Sequence, residues 1–260
     1  MTPWWAGQSI LVTGASSGIG RELARGFARD ASALVLVARR MDRLEELAQE
    51  LRSAHPELAV HLVPADLSRQ EERSRVVAEV REAVGELDVL VNNAGVGDQA
   101  AFTDAQWDRL ERVVDVNVLA PLHLTHEFLG SMVARGRGGV LTMGSGAGHV
   151  AIKEAATYSA SKHFIDGLME SLRMELVGTG AVATQVCPGP VPTEFDVAAG
   201  AADGLKGLPP VFEVSAERCA EDALAGFARR QAIVYPGRPY RALMGLLPLV
   251  PRAVLRRGAR

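Results

Sequence analysis

Short runs of aliphatic residues alternate with amphipathic stretches along the first two thirds of the chain. Continuous aliphatic runs are typical of parallel strands that are buried on both faces, and each parallel crossover needs a connecting helix. The pattern therefore predicts an α/β fold, in which a doubly wound parallel sheet carries helices on both faces. The predicted strands lie at residues 10–12, 34–37, 59–63, 89–91, 140–143 and 181–186.

The composition indicates one large domain followed by a basic extension. Of the 260 residues, 48% are hydrophobic and 23% are charged, which suits a single sizeable core. We place the domain at residues 1–237 and the extension at residues 238–260. Residues 229–260 contain eight arginines and no acidic residue, interleaved with an apolar run at 243–250. This segment fits a membrane-surface helix, a subunit contact, a lid over a site, or a tail packed on an acidic surface.

Polar residues and glycines follow the predicted strands directly. In open parallel sheets, ligands bind beyond the carboxyl ends of the strands. We therefore expect the functional site among the residues at these ends, which are Gly14, Arg39, Asp66, Asn92, Ser145 and Pro188.

A glycine-rich turn connects the first predicted strand to a helix. Residues 13–20 read Thr-Gly-Ala-Ser-Ser-Gly-Ile-Gly, so the spacing is Gly-x-x-x-Gly-x-Gly and differs from the general Gly-x-Gly-x-x-Gly fingerprint. Ile19, Leu23 and Phe27 recur every four residues, so the helix can bury one face while its first amide groups point into the turn. Such a helix N-terminus binds phosphate, although glycine turns without a ligand also occur.

Tyr158 and Lys162 are one helical turn apart in Tyr-Ser-Ala-Ser-Lys. Residues 155–173 are predicted to be helical, with this pair on one face and a packed apolar stripe on another. An ammonium about 4 Å from a phenol favours the phenolate by roughly 4 kcal/mol at an effective dielectric of about 20. Tyr158 is therefore a candidate general acid or base, although such pairs are also common on solvated helices. The apolar stripe consists of Phe164, Leu168 and Leu172.

Five motifs, in this order along the chain, resemble those of the short-chain dehydrogenase/reductase family. The resemblance covers about residues 7–237, and it implies a Rossmann-type fold, a dinucleotide-binding and catalytic domain, and a nicotinamide cofactor. Resemblance of this kind concerns the fold and does not by itself establish activity. The motifs are the turn at residues 13–20, Asn92-Asn93-Ala94-Gly95, Asn117 in Asp-Val-Asn-Val, Ser145 thirteen residues before Tyr158 with its Lys162, and Pro-Gly-Pro-Val-Pro-Thr at residues 188–193.

The resemblance implies four catalytic residues: Asn117, Ser145, Tyr158 and Lys162. Ser145 would hold a substrate carbonyl oxygen while Tyr158 donates a proton to that oxygen. Lys162 would stabilise the tyrosinate and bind the nicotinamide ribose. Asn117 resembles the family residue that holds a water between the lysine and solvent. Alternatively, the Asn117 amide satisfies a buried backbone group inside a helix.

The serine motif departs from the usual family pattern. The family often has two serines here, whereas Ser145 stands alone among glycines within residues 143–148. The spacing to Tyr158 still favours Ser145 as the catalytic serine. A glycine-rich loop gives this serine freedom or leaves room for a bulky substrate.

Four polar residues near this motif receive other interpretations. Ser159 and Ser161 flank the tyrosine, and we interpret them as helix surface residues. His149 and Lys153 precede the tyrosine in a loop, where a substrate-facing position and a surface position fit equally well.

The end of the second predicted strand favours NADP(H) over NAD(H). An acidic residue at this point would bind the ribose 2′-hydroxyl of NAD, whereas this chain has Ala38 followed by Arg39 and Arg40. A guanidinium pairs with a 2′-phosphate through charge-assisted hydrogen bonds. Alternatively, the two arginines are solvated residues that open the next helix, with Asp42 weakening their field.

Further cofactor contacts are implied by the resemblance. Asp66 would bind near the adenine, Asn93 would shape the site, and Thr193 would contact the nicotinamide carboxamide. The alternatives are that Asp66 caps a helix starting at Ser68 and that Thr193 is a plain turn residue. The complete set of predicted cofactor-binding residues is Gly14, Ser16, Ser17, Gly18, Ile19, Gly20, Arg39, Arg40, Asp66, Leu67, Asn93, Ala94, Gly95, Tyr158, Lys162, Pro188, Gly189, Val191 and Thr193.

The expected function is NADPH-dependent reduction of a carbonyl to an alcohol, or the reverse reaction. Small residues at 198–202 and the prolines at 209–210, all within the segment 191–213, suggest a mobile lid over an apolar substrate. The alternative is a nucleotide-binding regulatory protein of the same fold with little turnover, which the intact catalytic set disfavours. A sugar-nucleotide epimerase is disfavoured because 260 residues leave no room for its usual substrate domain.

The expected partners are a small carbonyl or alcohol compound and other copies of this chain. Family members usually pair through two long helices, here about residues 106–135 and 155–177, so we expect a homodimer or homotetramer. We predict no nucleic-acid partner and no metal site. Two cysteines without a disulfide framework, no secretory signal and no membrane-length apolar run indicate the cytoplasm, with the basic tail as a candidate peripheral membrane contact.

Overall fold

One parallel sheet organises the protein, whose computed structural model describes residues 2–195, 199 and 208–250. Within these residues, seven parallel strands lie in the order β3-β2-β1-β4-β5-β6-β7. The predicted doubly wound parallel sheet is therefore confirmed. The strands are β1 (Ser9–Thr13), β2 (Ala33–Ala38), β3 (Ala59–Pro64), β4 (Val89–Asn92), β5 (Gly139–Met143), β6 (Val182–Val186) and β7 (Ile233–Val234). The helices are α1 (Gly18–Ala28), α2 (Met41–Ala54), α3 (Gln70–Val84), α4 (Trp107–Val114), α5 (Ala120–Ala134), α6 (Ala156–Glu175), α7 (Ala216–Ala228) and α8 (Arg238–Leu246).

Six strands coincide with the predicted aliphatic runs, and the seventh does not. β7 has two residues, and it joins the sheet edge by pairing Ile233 with Gln185 and Val234 with Val186. The aliphatic pattern does not predict this strand because two residues are too few to form a recognisable run. Its place in the sheet depends on the neighbouring strand β6.

Helices cover both faces of the sheet, and the burial of β1 shows why its sequence is continuously apolar. Ile10 and Val12 pack in a cluster with residues of α1, α2 and α7, whereas Leu11 packs on the opposite side with residues of α3 and α5. None of these three side chains is exposed to solvent. A strand covered on both faces needs no polar alternation.

Helix α6 packs on the sheet through a different stripe from the predicted one. Its buried side chains include Ile165 and Met169, which pack with Ala183 of β6, whereas Phe164 is 40% exposed. The prediction is therefore wrong for Phe164, whereas Leu172 of the predicted stripe packs against this cluster. A spacing of four places residues on one helical face but does not say which face meets the sheet.

The first part of the predicted basic extension packs against the body of the protein. Tyr240 and Met244 of α8 are both buried, and the Tyr240 ring lies against Gly189 near the end of β6. Among the described residues, no helix is long and apolar enough to cross a membrane. Residues 251–260, which carry four of the eight arginines, lie outside the described residues.

Candidate active site

A cleft of about 550 Å³ opens at the carboxyl ends of the strands. All of the predicted cofactor-binding residues line it, together with Ser145. Asn117, and Asn92 at the end of β4, line a separate small cavity instead. The sheet produces this convergence because parallel strands end at one edge, where their connecting loops meet.

The glycine turn after β1 is held by its neighbour, the loop after β4. The Asn93 side-chain amide donates hydrogen bonds to the carbonyl oxygens of Thr13 and Gly14, at 2.9 and 3.2 Å. The Thr13 hydroxyl accepts the backbone N–H groups of Asn93 and Ala94, both at 3.0 Å. A Cβ atom at Gly20 would overlap the Gly14 carbonyl and the Asn93 amide, so only glycine fits there.

The turn also leaves the start of α1 open to an anion. Gly14 and Gly18 have φ values of +66° and +53°, in the left-handed region that favours glycine. Ser17 is the N-cap of α1, but its side chain makes no capping hydrogen bond to the helix. The first amide groups of the helix therefore face the cleft, which is the arrangement that binds phosphate.

The two arginines after β2 lie at the mouth of the cleft with different partners. Arg40 donates from Nη2 to the Glu194 carboxylate at 2.8 Å and to the Ser16 hydroxyl at 3.3 Å. Arg39 is exposed and has no ion-pair partner among the described residues. In the alternative drawn from the sequence, Asp42 weakens the positive field of the two arginines. The carboxylate that contacts Arg40 is that of Glu194.

Asp66, at the end of β3, is held by two groups. It accepts the Ser68 backbone N–H at 3.1 Å and the Ser68 hydroxyl at 2.9 Å, and Arg112 donates to both of its oxygens. Burial opposes its ionisation, but the hydrogen bonds from Ser68 and Arg112 outweigh burial and hold its pKa below the usual value. The suggested helix from Ser68 is wrong, because α3 begins at Gln70 with Arg69 as its cap.

Ser145, Tyr158 and Lys162 lie together at the other end of the cleft. All three are buried, and the Lys162 ammonium lies 5.8 Å from the centre of the Tyr158 ring. Lys162 donates to the carbonyl oxygen of Met143 at 2.9 Å. Burial lowers the pKa of Lys162 to about 8, because the charged form loses its hydration. The Ser145 hydroxyl oxygen caps the short turn Gly146–Gly148 by accepting the Ala147 N–H.

The Asn117 side chain holds the backbone at Val96, close to Lys162. It lies in a π-helical turn, Asp115–Leu119, between α4 and α5. Its side chain accepts the Val96 N–H and donates to the Val96 carbonyl, both at 2.9 Å, and it also donates to the Ser161 hydroxyl. These contacts match the alternative in which the amide satisfies buried backbone groups. Asn117 and Lys162 also line a separate small cavity of about 10 Å³.

The interpretation of Ser159 and Ser161 as surface residues is wrong. Both are buried, because α6 turns this side towards the loops that precede it. The Ser161 hydroxyl donates to the Tyr158 carbonyl at 2.7 Å, and the Ser159 hydroxyl accepts the Ile152 N–H at 3.2 Å. These serines therefore hold the helix and the loop around Tyr158.

The space beside the Tyr158 ring is apolar. Ala147, Ala155 and Tyr158 form a buried cluster against which Ile152 and Phe195 pack. The Phe195 ring centre is 5.8 Å from that of Tyr158. About half of the lid proposed at residues 191–213 falls outside the described residues, which leave out 196–198 and 200–207.

The sequence left both a substrate-facing and a surface position open for His149 and Lys153. Neither residue lines the cleft. His149 has Nδ1 3.5 Å from the Asp166 carboxylate and Nε2 3.3 Å from the Tyr235 hydroxyl. Lys153 is exposed. The histidine therefore connects the Ser145 loop to α6 and to the end of β7.

The structure adds cleft residues that the motifs do not identify. Arg109 and Arg112 reach the cleft from α4, and Glu194 and Phe195 follow the predicted Thr193. No local pattern marks the two arginines, since charged residues on a helix are usually solvated. Glu194 and Phe195 lie within the segment expected to control specificity, but nothing in the sequence singles them out.

A family model and curated relatives match this chain. The model, described as short chain dehydrogenase, matches residues 8–203. Dehydrogenase/reductase SDR family member 7B from Bos taurus is 32% identical over 244 residues, which cover 90% of this chain and 74% of that protein. The Mus musculus protein of the same name is 34% identical, over 76% of this chain and 62% of that protein.

Solved structures agree with these matches over nearly the whole chain. A short-chain dehydrogenase from Sphingobium yanoikuyae in complex with NADPH has 31% identity and a TM-score of 0.84, covering 96% of this chain and 95% of that one. The bulky-bulky ketone specific alcohol dehydrogenase from Comamonas testosteroni has 28% identity and a TM-score of 0.77, covering 95% and 96%. With its parallel sheet and the order of its motifs, the chain belongs to the short-chain dehydrogenase/reductase family.

Proposed function

We propose that this oxidoreductase uses NADP(H) to interconvert an apolar carbonyl compound and its alcohol. The observation that carries the proposal is one cleft with arginines at one end and a buried Ser145, Tyr158 and Lys162 set at the other. An extended dinucleotide needs a phosphate-binding turn between these ends, and the open start of α1 lies there.

The residues in the cleft fit a nicotinamide dinucleotide. The glycine turn has no room for a Cβ atom at Gly20, and the uncapped N-terminus of α1 supplies amide donors for phosphate oxygens. Arg39 and Arg40 follow β2, where a 2′-phosphate would need cationic partners. The NADPH bound by the related Sphingobium yanoikuyae enzyme supports the same preference in this protein.

Each residue of the buried set has a defined task in the proposed reaction. A bound nicotinamide supplies or accepts the hydride. Tyr158 gives its phenolic proton to the carbonyl oxygen in the direction of reduction, and it takes the proton back in the direction of oxidation. Lys162 stabilises the resulting tyrosinate by its charge, and Ser145 orients the substrate oxygen with a hydrogen bond.

The proton that Tyr158 loses must be replaced for the next turnover. The Lys162 ammonium lies 5.8 Å from the centre of the ring, and Lys162 lines the small cavity that it shares with Asn117. A volume of about 10 Å³ is close to the minimum that holds one water molecule. We therefore assign this cavity to a water that passes a proton towards Lys162, while Asn117 holds its walls in place.

The apolar surroundings of Tyr158 support an apolar substrate. Ile152 and Phe195 pack against the buried cluster that contains the tyrosine, so a carbonyl group reaching Tyr158 brings its substituents against these side chains. Hydrocarbon substituents gain about 25 cal/mol for each Å² that they bury there. The activity of the Comamonas testosteroni relative on bulky-bulky ketones supports this substrate class.

A panel of ketones, aldehydes and alcohols, followed by NADPH absorbance, tests the proposal. We expect turnover on apolar ketones or aldehydes and less than a tenth of that rate in Tyr158→Phe, because this variant lacks only the transferable proton. Tyr158→Phe should still bind NADPH. Tyr235→Phe is the matched control, since its hydroxyl contacts His149 outside the cleft. Cofactor binding without turnover on any member of the panel would favour a regulatory protein.

A further inference from the structure

An ion pair crosses the mouth of the cleft between Arg40 and Glu194. The Arg40 Nη2 atom lies 2.8 Å from the Glu194 carboxylate, although the two residues are 154 positions apart in the chain. The hydrogen bond from Arg40 is the main reason that the pKa of Glu194 is lowered, and the charge of Arg43 adds to it. The carboxylate therefore stays ionised beside the arginine.

The backbone that carries Glu194 is held close to the phosphate-binding turn. The side chain of the preceding Thr193 occupies the space beside Gly18, within 3.2 Å of where a Cβ atom would lie. The Thr193 hydroxyl also accepts the Phe195 N–H at 3.3 Å, and the Phe195 ring packs towards Tyr158. Glu194 thus remains at the mouth of the cleft, where its charge acts on any group that reaches Arg40.

The Arg40 and Glu194 pair is exposed, so an added anion can replace the carboxylate. Their side chains are 42% and 58% exposed, respectively. Exposed ion pairs contribute little net stability, whereas a phosphate carries up to two negative charges and three acceptor oxygens.

We infer that Glu194 reduces the preference for NADP(H) over NAD(H), because its carboxylate pairs with Arg40 until a 2′-phosphate displaces it. This inference rests on the proposed use of NADP(H). Glu194 lowers the affinity for NADP(H) specifically, because NAD(H) has no 2′-phosphate and does not compete for Arg40.

Calorimetric titration of Glu194→Gln with adenosine 2′,5′-bisphosphate, AMP, NADPH and NADH tests this role without relying on turnover. We expect the bisphosphate and NADPH to bind about three- to tenfold more tightly than to the wild type, while AMP and NADH change less than twofold. Glu79→Gln is the matched control, since it removes a partly exposed carboxylate that pairs with Arg75 within α3, away from the cleft. This control should leave all four affinities unchanged.

A double-mutant cycle with Arg40→Ala identifies the route of the effect. If the carboxylate acts by occupying Arg40, Glu194→Gln changes the NADPH affinity less than twofold in the Arg40→Ala background. An undiminished gain in NADPH affinity in the Arg40→Ala background overturns the inference. An equal change in the affinities for NADPH and NADH also overturns it. Weaker NADH binding in Glu194→Gln also overturns it, because the carboxylate would then be a partner of the ribose hydroxyl.

The wild-type titrations separate this inference from the proposed function. Equal affinities of the wild type for NADPH and NADH contradict the proposed NADP(H) preference, whereas the change caused by Glu194→Gln tests Glu194 alone. A wild type that binds neither dinucleotide overturns both.

Discussion

The guanidinium of Arg112 donates hydrogen bonds to both carboxylate oxygens of Asp66, at 3.1 and 3.0 Å. Arg112 comes from α4 and Asp66 from the loop after β3, so the contact connects two elements that line the cleft. A carboxylate held in this way has a fixed direction, and it stays ionised because its pKa is lowered. Arg112 is therefore a positioning residue for the predicted adenine contact.

We expect Arg112→Ala to weaken NADPH and NADH binding by the same factor, about three- to tenfold, because both cofactors carry adenine. This factor corresponds to the loss of roughly one charge-assisted hydrogen bond at a partly exposed site. Fluorescence titration measures both affinities, and Arg81→Ala, which removes an exposed ion pair with Glu127, is the control. If the binding of NADPH alone is weakened, Arg112 instead contacts the 2′-phosphate.

The buried Lys162 should make stability depend on alkaline pH. Its pKa falls from 10.5 to about 8 in the folded protein, so between these values the unfolded chain binds more protons and stability rises with pH. The cost of burying the charge, about 3 kcal/mol, is fully present below pH 8 and is relieved towards pH 10.5. Lys162→Met should therefore be more stable than the wild type at pH 7.5, and this gap should narrow by about 2 to 3 kcal/mol by pH 10.

Urea denaturation of the two proteins at both pH values measures this gap. Lys153→Met is the control, because Lys153 is 79% exposed in its side chain and should show no comparable trend. A gap that stays constant from pH 7.5 to pH 10 would contradict the depressed pKa of Lys162.

We expect Asn117→Ala to lose both stability and turnover. The substitution leaves the Val96 N–H and carbonyl without their side-chain partner, and unsatisfied buried groups cost about 1 to 3 kcal/mol. Urea unfolding and NADPH-coupled assays measure the two effects. Ser161→Ala is the control, since it removes one Asn117 contact and keeps both contacts to Val96. Loss of turnover at unchanged stability would show that Asn117 serves only the proton path.

We expect the protein to form a homodimer or homotetramer. Helices α4 to α6 leave apolar side chains such as Val114, Leu122 and Phe164 between 37% and 40% exposed, which supports pairing through these helices.

We expect the basic tail to bind anionic membrane. Full-length protein should sediment with phosphatidylserine vesicles at low salt and be released as ionic strength rises. A chain ending at Val250 should lose this binding.

This truncation keeps Tyr240 and Met244, whose burial makes a cut after Gly237 unsuitable. Light scattering of both chains reports the oligomeric state. If the truncated chain still binds vesicles, residues 251–260 do not form the membrane contact. A truncated chain that loses its oligomeric state would make the tail a subunit contact.

Elements whose cause is local could be predicted from the amino-acid sequence alone. Aliphatic runs predicted six of the strands, because strands buried on both faces need apolar side chains throughout. The turn at Gly14 and Gly18 could be predicted because left-handed backbone favours glycine. Tyr158 and Lys162 share a helical face because they are four residues apart, which requires no tertiary information.

Contacts between distant parts of the chain depend on how the elements pack in three dimensions. Arg112 meets Asp66 across 46 positions and Arg40 meets Glu194 across 154, and neither pairing leaves a pattern in the local sequence. Ser161 is buried because of what packs on α6, although its sequence neighbourhood resembles a solvated helix. Local propensity acts over a few residues. The parallel sheet brings together loops from distant parts of the chain, and this arrangement sets which charges and hydroxyl groups meet.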